Sequence, residues 1–69
     1  MAKVLEKYRK AAEKALKKYN KNSIANKVKN DLDLTVSEGL EYVEVLSLEI
    51  AGNRDEATLL HDALNEFEY

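Results

Sequence analysis

Val28-Lys29-Asn30-Asp31-Leu32-Asp33-Leu34-Thr35-Val36-Ser37-Glu38-Gly39-Leu40-Glu41-Tyr42-Val43-Glu44-Val45-Leu46-Ser47-Leu48-Glu49-Ile50 is the stretch whose period decides the fold class. Its apolar residues fall mainly on even positions: Val28, Leu32, Leu34, Val36, Leu40, Tyr42, Leu46, Leu48 and Ile50. Among the odd positions only Val43 and Val45 are apolar. Alternation with a period of two argues a strand with one buried face. Ser37-Glu38-Gly39 lies at the centre, and a three-residue loop ending in glycine is a recognised hairpin connection with a bulge. Folding about that loop sets Val36 near Leu40, Leu34 near Tyr42 and Lys27 opposite Glu49 as a cross-strand ion pair.

The same residues also admit a helix. Thr35 and Glu38 have the spacing of a capping box, and Val36, Leu40, Val43, Leu46 and Ile50 could form one stripe. That stripe leaves Val45 and Leu48 among the glutamates. β-Branched residues at Val36, Val43, Val45 and Ile50 favour strand. The sequence therefore predicts a β-hairpin over about residues 28–50, with a helix as the alternative.

Toward the N-terminus, Leu5, Tyr8, Ala12, Ala15 and Tyr19 recur at steps of three and four, flanked by Val4, Ala11 and Leu16. Lys3, Lys7, Lys10, Lys14, Lys17 and Lys21 fall on the opposite arc, so an amphipathic helix is expected over about residues 2–21. Glu6 with Lys10 and Glu13 with Lys17 support it as i,i+4 pairs. Asn20-Lys21-Asn22-Ser23 should end it, because these side chains compete for backbone hydrogen bonds. Toward the C-terminus, Ala51-Gly52-Asn53 is a break. Asn53 and Glu56 resemble a capping box, and Ala57, Leu60, Ala63, Leu64 and Phe67 give a buried face to a helix over about residues 54–68. The expected fold is α+β, a single αββα domain over residues 1–69, with an all-α helical bundle as the alternative.

Sixty-nine residues without a cysteine can bury only a modest core and have no disulfide or thiolate metal site. Stability must come from packing, a partner or a second copy of the chain. No apolar run approaches the ~18 residues that span a bilayer, and the N-terminal lysines interrupt any signal-peptide core. No membrane association and a cytoplasmic setting are the default expectations.

Nothing in the chain carries a catalytic, metal or nucleotide signature. His61 is the lone histidine, and no His or Cys lies at helical spacing to share a metal with it. Asp31/Asp33 and Glu38/Glu41/Glu44 lack the spacing of a calcium loop. The two glycines, Gly39 and Gly52, have turn or cap explanations and make no phosphate loop. A non-enzymatic protein without cofactor is expected.

Charge is the feature that speaks to partners. Residues 1–30 carry ten Lys or Arg against two Glu, and residues 31–69 carry one Arg against eleven Asp or Glu, a formal +8 against −10. On the hairpin reading, Val43 and Val45 lie exposed on its outer face among Asp31, Asp33, Glu41 and Glu49, with Asp62 and Glu66 along the last helix. Apolar anchors ringed by carboxylates suit a protein partner with a basic surface. The expected function is a small protein-binding adaptor or inhibitor, whose carboxylates could imitate a nucleic-acid backbone. The alternative is a nucleic-acid-associated regulator that binds phosphates through Lys3, Lys7, Lys10, Lys14, Lys17 and Lys21. Arg9 is the one arginine of that helix, which argues against base reading. A homodimer is expected from the small core and the opposed charges.

Overall fold

Thr35 and Glu38 settle the period of the central stretch. Thr35 Oγ1 accepts from the Glu38 backbone N–H at 3.1 Å, and the Glu38 carboxylate accepts from the Thr35 N–H at 2.8 Å. This reciprocal box satisfies two otherwise unpaired donors and starts a helix at Val36. In the computed structural model, which describes residues 3–67, the chain forms α1 (Glu6–Lys18), α2 (Asn22–Lys29), α3 (Val36–Gly52) and α4 (Ala57–Asn65). No β-strand occurs among the described residues; Leu34 alone is in a single β-bridge.

The α+β expectation is thus overturned in favour of the all-α alternative. Residues 28–50 are not a hairpin: Val28 and Lys29 end α2, 30–35 is a connector, and 36–50 is helical. Gly39 does not turn the chain; no glycine has a positive φ, and Gly39 is buried in the first turns of α3. Val45, expected on an exposed sheet face, is buried in the core, while Val43 is half-buried at its edge. Lys27 does not face Glu49; it meets Glu38, and Glu49 meets Lys18. The physical reason is that the cap and the long-range packing of Tyr42 and Leu46 outweigh the strand preference of four β-branched residues.

The helix ends explain α2, which runs from within the expected stop at Asn20-Lys21-Asn22-Ser23 to the start of the expected hairpin. After α1 the backbone enters the left-handed region at Asn20, φ 63°. Lys21 N–H then donates to Leu16 C=O at 2.8 Å and Asn20 N–H to Lys17 C=O at 3.1 Å, the paired bonds of a Schellman stop. The same device recurs after α2. Asp31 has φ 57°, Leu32 N–H donates to Lys27 C=O at 2.8 Å, and Asp31 N–H to Val28 C=O at 3.2 Å. Both stops use Asn or Asp, the non-glycine residues best suited to that conformation.

Helix α1 is central and packs on each of the other three. Ala11, Ala12 and Ala15 are buried along it, and their small side chains allow the close approach. Tyr8 and Leu16 from α1, Ile24, Ala25 and Val28 from α2, Tyr42, Val45 and Leu46 from α3, and Leu60 and Ala63 from α4 form one core, closed by Val4, Leu34 and Phe67. The Tyr42 and Phe67 rings lie 4.3 Å apart with planes tilted by 37°. Asn53 does not cap α4. It ends α3, and its Oδ1 accepts from the Asp55 N–H at 3.0 Å within the turn before α4 begins at Ala57.

Candidate interaction surface

The two charged halves of the chain meet each other. Of the eight ion pairs among the described residues, seven join a cation of residues 1–30 to a carboxylate of residues 31–69, which shows where most of the asymmetry is spent. Lys21–Glu41 and Lys27–Glu38 close at 2.8 Å, Lys18–Glu49 at 3.0 Å and Arg9–Asp31 at 3.3 Å. Lys7–Glu66 at 3.6 Å, and Lys3–Asp31 and Lys14–Glu56 at 3.9 Å, are looser and more exposed.

These contacts redistribute the acidic residues that the sequence singled out. Asp31 is held by Lys3 and Arg9, Glu41 by Lys21, Glu49 by Lys18, and Glu66 by Lys7 and the Tyr8 hydroxyl. The Lys18 ammonium holds the Glu49 carboxyl below the usual range, Lys27 does the same to Glu38, and the Tyr8 hydroxyl to Glu66. The Glu66 bond in turn raises Tyr8. Asp33 and Asp62 take part in no ion pair among the described residues, but they sit on different segments and make no common patch with Val43 and Val45.

The lysine stripe survives as a surface. Lys3, Lys7, Lys10, Lys14 and Lys17 are exposed, with Lys21 partly so. Lys7, Lys10 and Lys14 line a groove of about 400 Å³ with Ala11, Glu56 and Leu59, where α1 meets α4. Lys10 is in no ion pair among the described residues, and Lys17 pairs within its own helix with Glu13. Glu13, Glu56 and Glu66 break the positive field along this face.

The helical alternative groups Val36, Leu40, Val43 and Ile50 with Leu46 in one stripe; the structure takes Leu46 into the core and leaves the others along the outer side of α3, an exposure that the sequence reading did not anticipate. At 100° per residue, Val36, Leu40, Val43, Ser47 and Ile50 lie within an arc of about 80°, about 130° around the helix from the buried Tyr42, Val45, Leu46 and Glu49. Val36 is 67% exposed, Leu40 53% and Leu48 49%, with Leu32 in the preceding connector at 51%. Val43 and Ile50 are half-buried and join this face to the core. The helix is thus apolar on two sides, one of which folds the protein while the other meets solvent. The signal was present in the sequence as two interleaved sets at steps of three and four. It was masked because even-numbered alternation merged Leu40 with Tyr42 and Leu46 into one face.

Among the described residues no group of three His, Cys, Asp or Glu is placed to hold a metal ion, and no helix is long and apolar enough to cross a membrane. Against family models, curated proteins and solved structures, the chain finds no match.

Proposed function

We propose that this chain is a small, non-catalytic protein-binding module whose contact surface is the outer face of α3. The observation that carries the reading is the exposure of Val36 and Leu40, about 40° apart on the outer face of α3, with exposed Leu32 in the connector before them and exposed Leu48 about 80° further round the helix. A soluble monomer rarely leaves large apolar side chains grouped along one element, and such patches mark interaction sites. Of the two valines expected on a hairpin face, Val43 borders this surface and Val45 lies in the core. Charge then plays the secondary part of steering and selection.

The test compares three folded variants for retention of the physiological partner recovered from the host. Leu40→Glu should lose the partner with helicity and melting temperature unchanged, while Asp62→Lys and Lys10→Glu should keep it. Loss with Asp62→Lys and retention with Leu40→Glu would return the site to the acidic surface.

A second reading rests on the α1 groove. Lys10 is unpaired among the described residues, and the Lys7 and Lys14 contacts are long and exposed, so a phosphate backbone could compete for all three. Retention on single- or double-stranded nucleic acid that weakens steeply with salt and disappears with Lys10→Glu would favour it. Absence of retention at low salt would remove it.

A further inference from the structure

We infer that the occupant of the outer α3 face is an amphipathic helix whose apolar stripe is flanked by Lys or Arg; the inference rests on the protein-binding reading above. The spacing of the seam comes first. Val36, Leu40, Val43, Ser47 and Ile50 follow steps of four, three, four and three, which is the periodicity with which one helix presents side chains to another. The seam runs for about 21 Å along α3, the length of roughly four helical turns. An extended peptide would find no strand edge here, since the backbone donors and acceptors of α3 are used within the helix.

Charge then selects the partner. Residues 36–52 contain Glu38, Glu41, Glu44 and Glu49 and no Lys or Arg. Glu38 and Glu49 lie on the core side, held by Lys27 and Lys18. Lys21 pairs with Glu41 and lies within electrostatic reach of Glu44. One cation thus serves two carboxylates at this border. Glu44 is exposed, in no ion pair among the described residues, and next to Leu40 and Ser47 at helical spacing. The C-terminal turn of α3 has no basic residue to offset the negative end of the helix dipole; Arg54 lies in the turn beyond it. A helix with a basic flank supplies the missing charge at both places. A second copy of this chain does not: antiparallel pairing about the middle of the seam brings the two Glu44 carboxylates toward each other, and like charges opposed across a helix pair select against that partner.

The experiment uses the full chain with labelled Val and Leu methyl groups and two synthetic helical peptides of about 18 residues. Both peptides carry the same leucine seam, one flanked by Lys and the other by Glu. The Lys peptide should shift the methyl resonances of Val36, Leu40 and Val43 and bind about tenfold tighter than the Glu peptide, the scale of one or two rim charge pairs. Glu44→Lys should remove that preference, and Leu40→Gln should remove binding of both peptides with the amide spectrum otherwise preserved. Equal binding of the two peptides at the same methyls would overturn the charge assignment while leaving α3 as the binding face. Shifts from neither peptide at those methyls would overturn both readings. Shifts that grow with protein concentration alone, with a dimeric mass in sedimentation lost on Leu40→Gln, would assign the face to a second copy of the chain.

Discussion

Lys18 Nζ lies 3.0 Å from Oε1 of Glu49, which among the described residues is the one charged side chain that the fold buries, with 5% of its surface exposed. Asn53 Nδ2 adds a longer contact to the other carboxylate oxygen at 3.4 Å. The carboxylate therefore sits at the edge of the core between the end of α1 and the last turns of α3, and its ionised form is the one that fits. Because the folded state lowers the Glu49 pKa, its contribution is present above the unfolded value of about 4.3 and is lost as pH falls through the folded value. Glu38 and Glu66 are lowered too and act in the same direction. Unfolding free energy should therefore fall as pH drops below about 5, and Glu49→Gln should be less stable at pH 7 with a flatter profile on the acid side. A profile as steep as that of the parent protein would show that Glu49 does not contribute to it.

The salt dependence of melting follows from the pairing of the two halves. Apart from Lys18–Glu49, whose carboxylate is buried, the ion pairs between the two halves join partly or fully exposed groups and are screened as the Debye length shortens to about 3 Å at 1 M salt. Melting temperature should fall between 0.05 and 1 M sodium chloride, and by less in a Lys21→Ala/Glu41→Ala variant, which has lost one of the shortest pairs. A rise over that range in the parent protein would mean that repulsion within each half outweighs attraction between them.

Tyr42 is fully buried, and its hydroxyl has no hydrogen-bond partner among the described residues. Burial also pushes its pKa far upward. Tyr42→Phe keeps the ring packed on Phe67 and removes an unsatisfied polar group, so it should stabilise the fold by about 1 kcal/mol in urea unfolding. A loss of that size would reveal a partner for the hydroxyl.

Asn20 holds a left-handed conformation at the stop between α1 and α2. Asn20→Gly should be neutral or stabilising by up to about 1 kcal/mol, and Asn20→Val should cost about 1–2 kcal/mol, as judged by chemical denaturation. Equal stability of the glycine and valine variants would argue that the chain does not turn there.

The first and last helices are legible in the residues, whereas the middle of the chain is not, for identifiable physical reasons. The central part of the first helix follows from its lysine stripe and from Tyr8, Ala12 and Ala15. Its termination at Asn20 follows from side chains that favour turns. The short α2 carries only Ile24, Ala25 and Val28 as a buried face, too few to show a period beside five polar neighbours. Central α3 misleads for a different reason. A helix with two apolar sides has nearly as many apolar even positions as a strand, and only the Thr35/Glu38 box distinguishes them locally. A strand over α3 puts Val45 and Glu49 on an outer acidic face, whereas the helix uses both inside. Charge asymmetry alone did not reveal that the two halves of one chain satisfy each other.

Leu40 and Leu46 are both even-numbered apolar residues of one helix, with Leu40 half exposed and Leu46 fully buried. The unfolding free energies of Leu40→Ala and Leu46→Ala, measured side by side, test most directly whether α3 has one face for folding and another left for a partner. Leu46→Ala should cost about 3 kcal/mol or unfold the protein, whereas Leu40→Ala should cost less than about 1 kcal/mol. Comparable large losses at the two positions would place both side chains in the core and remove the surface on which the proposed function rests.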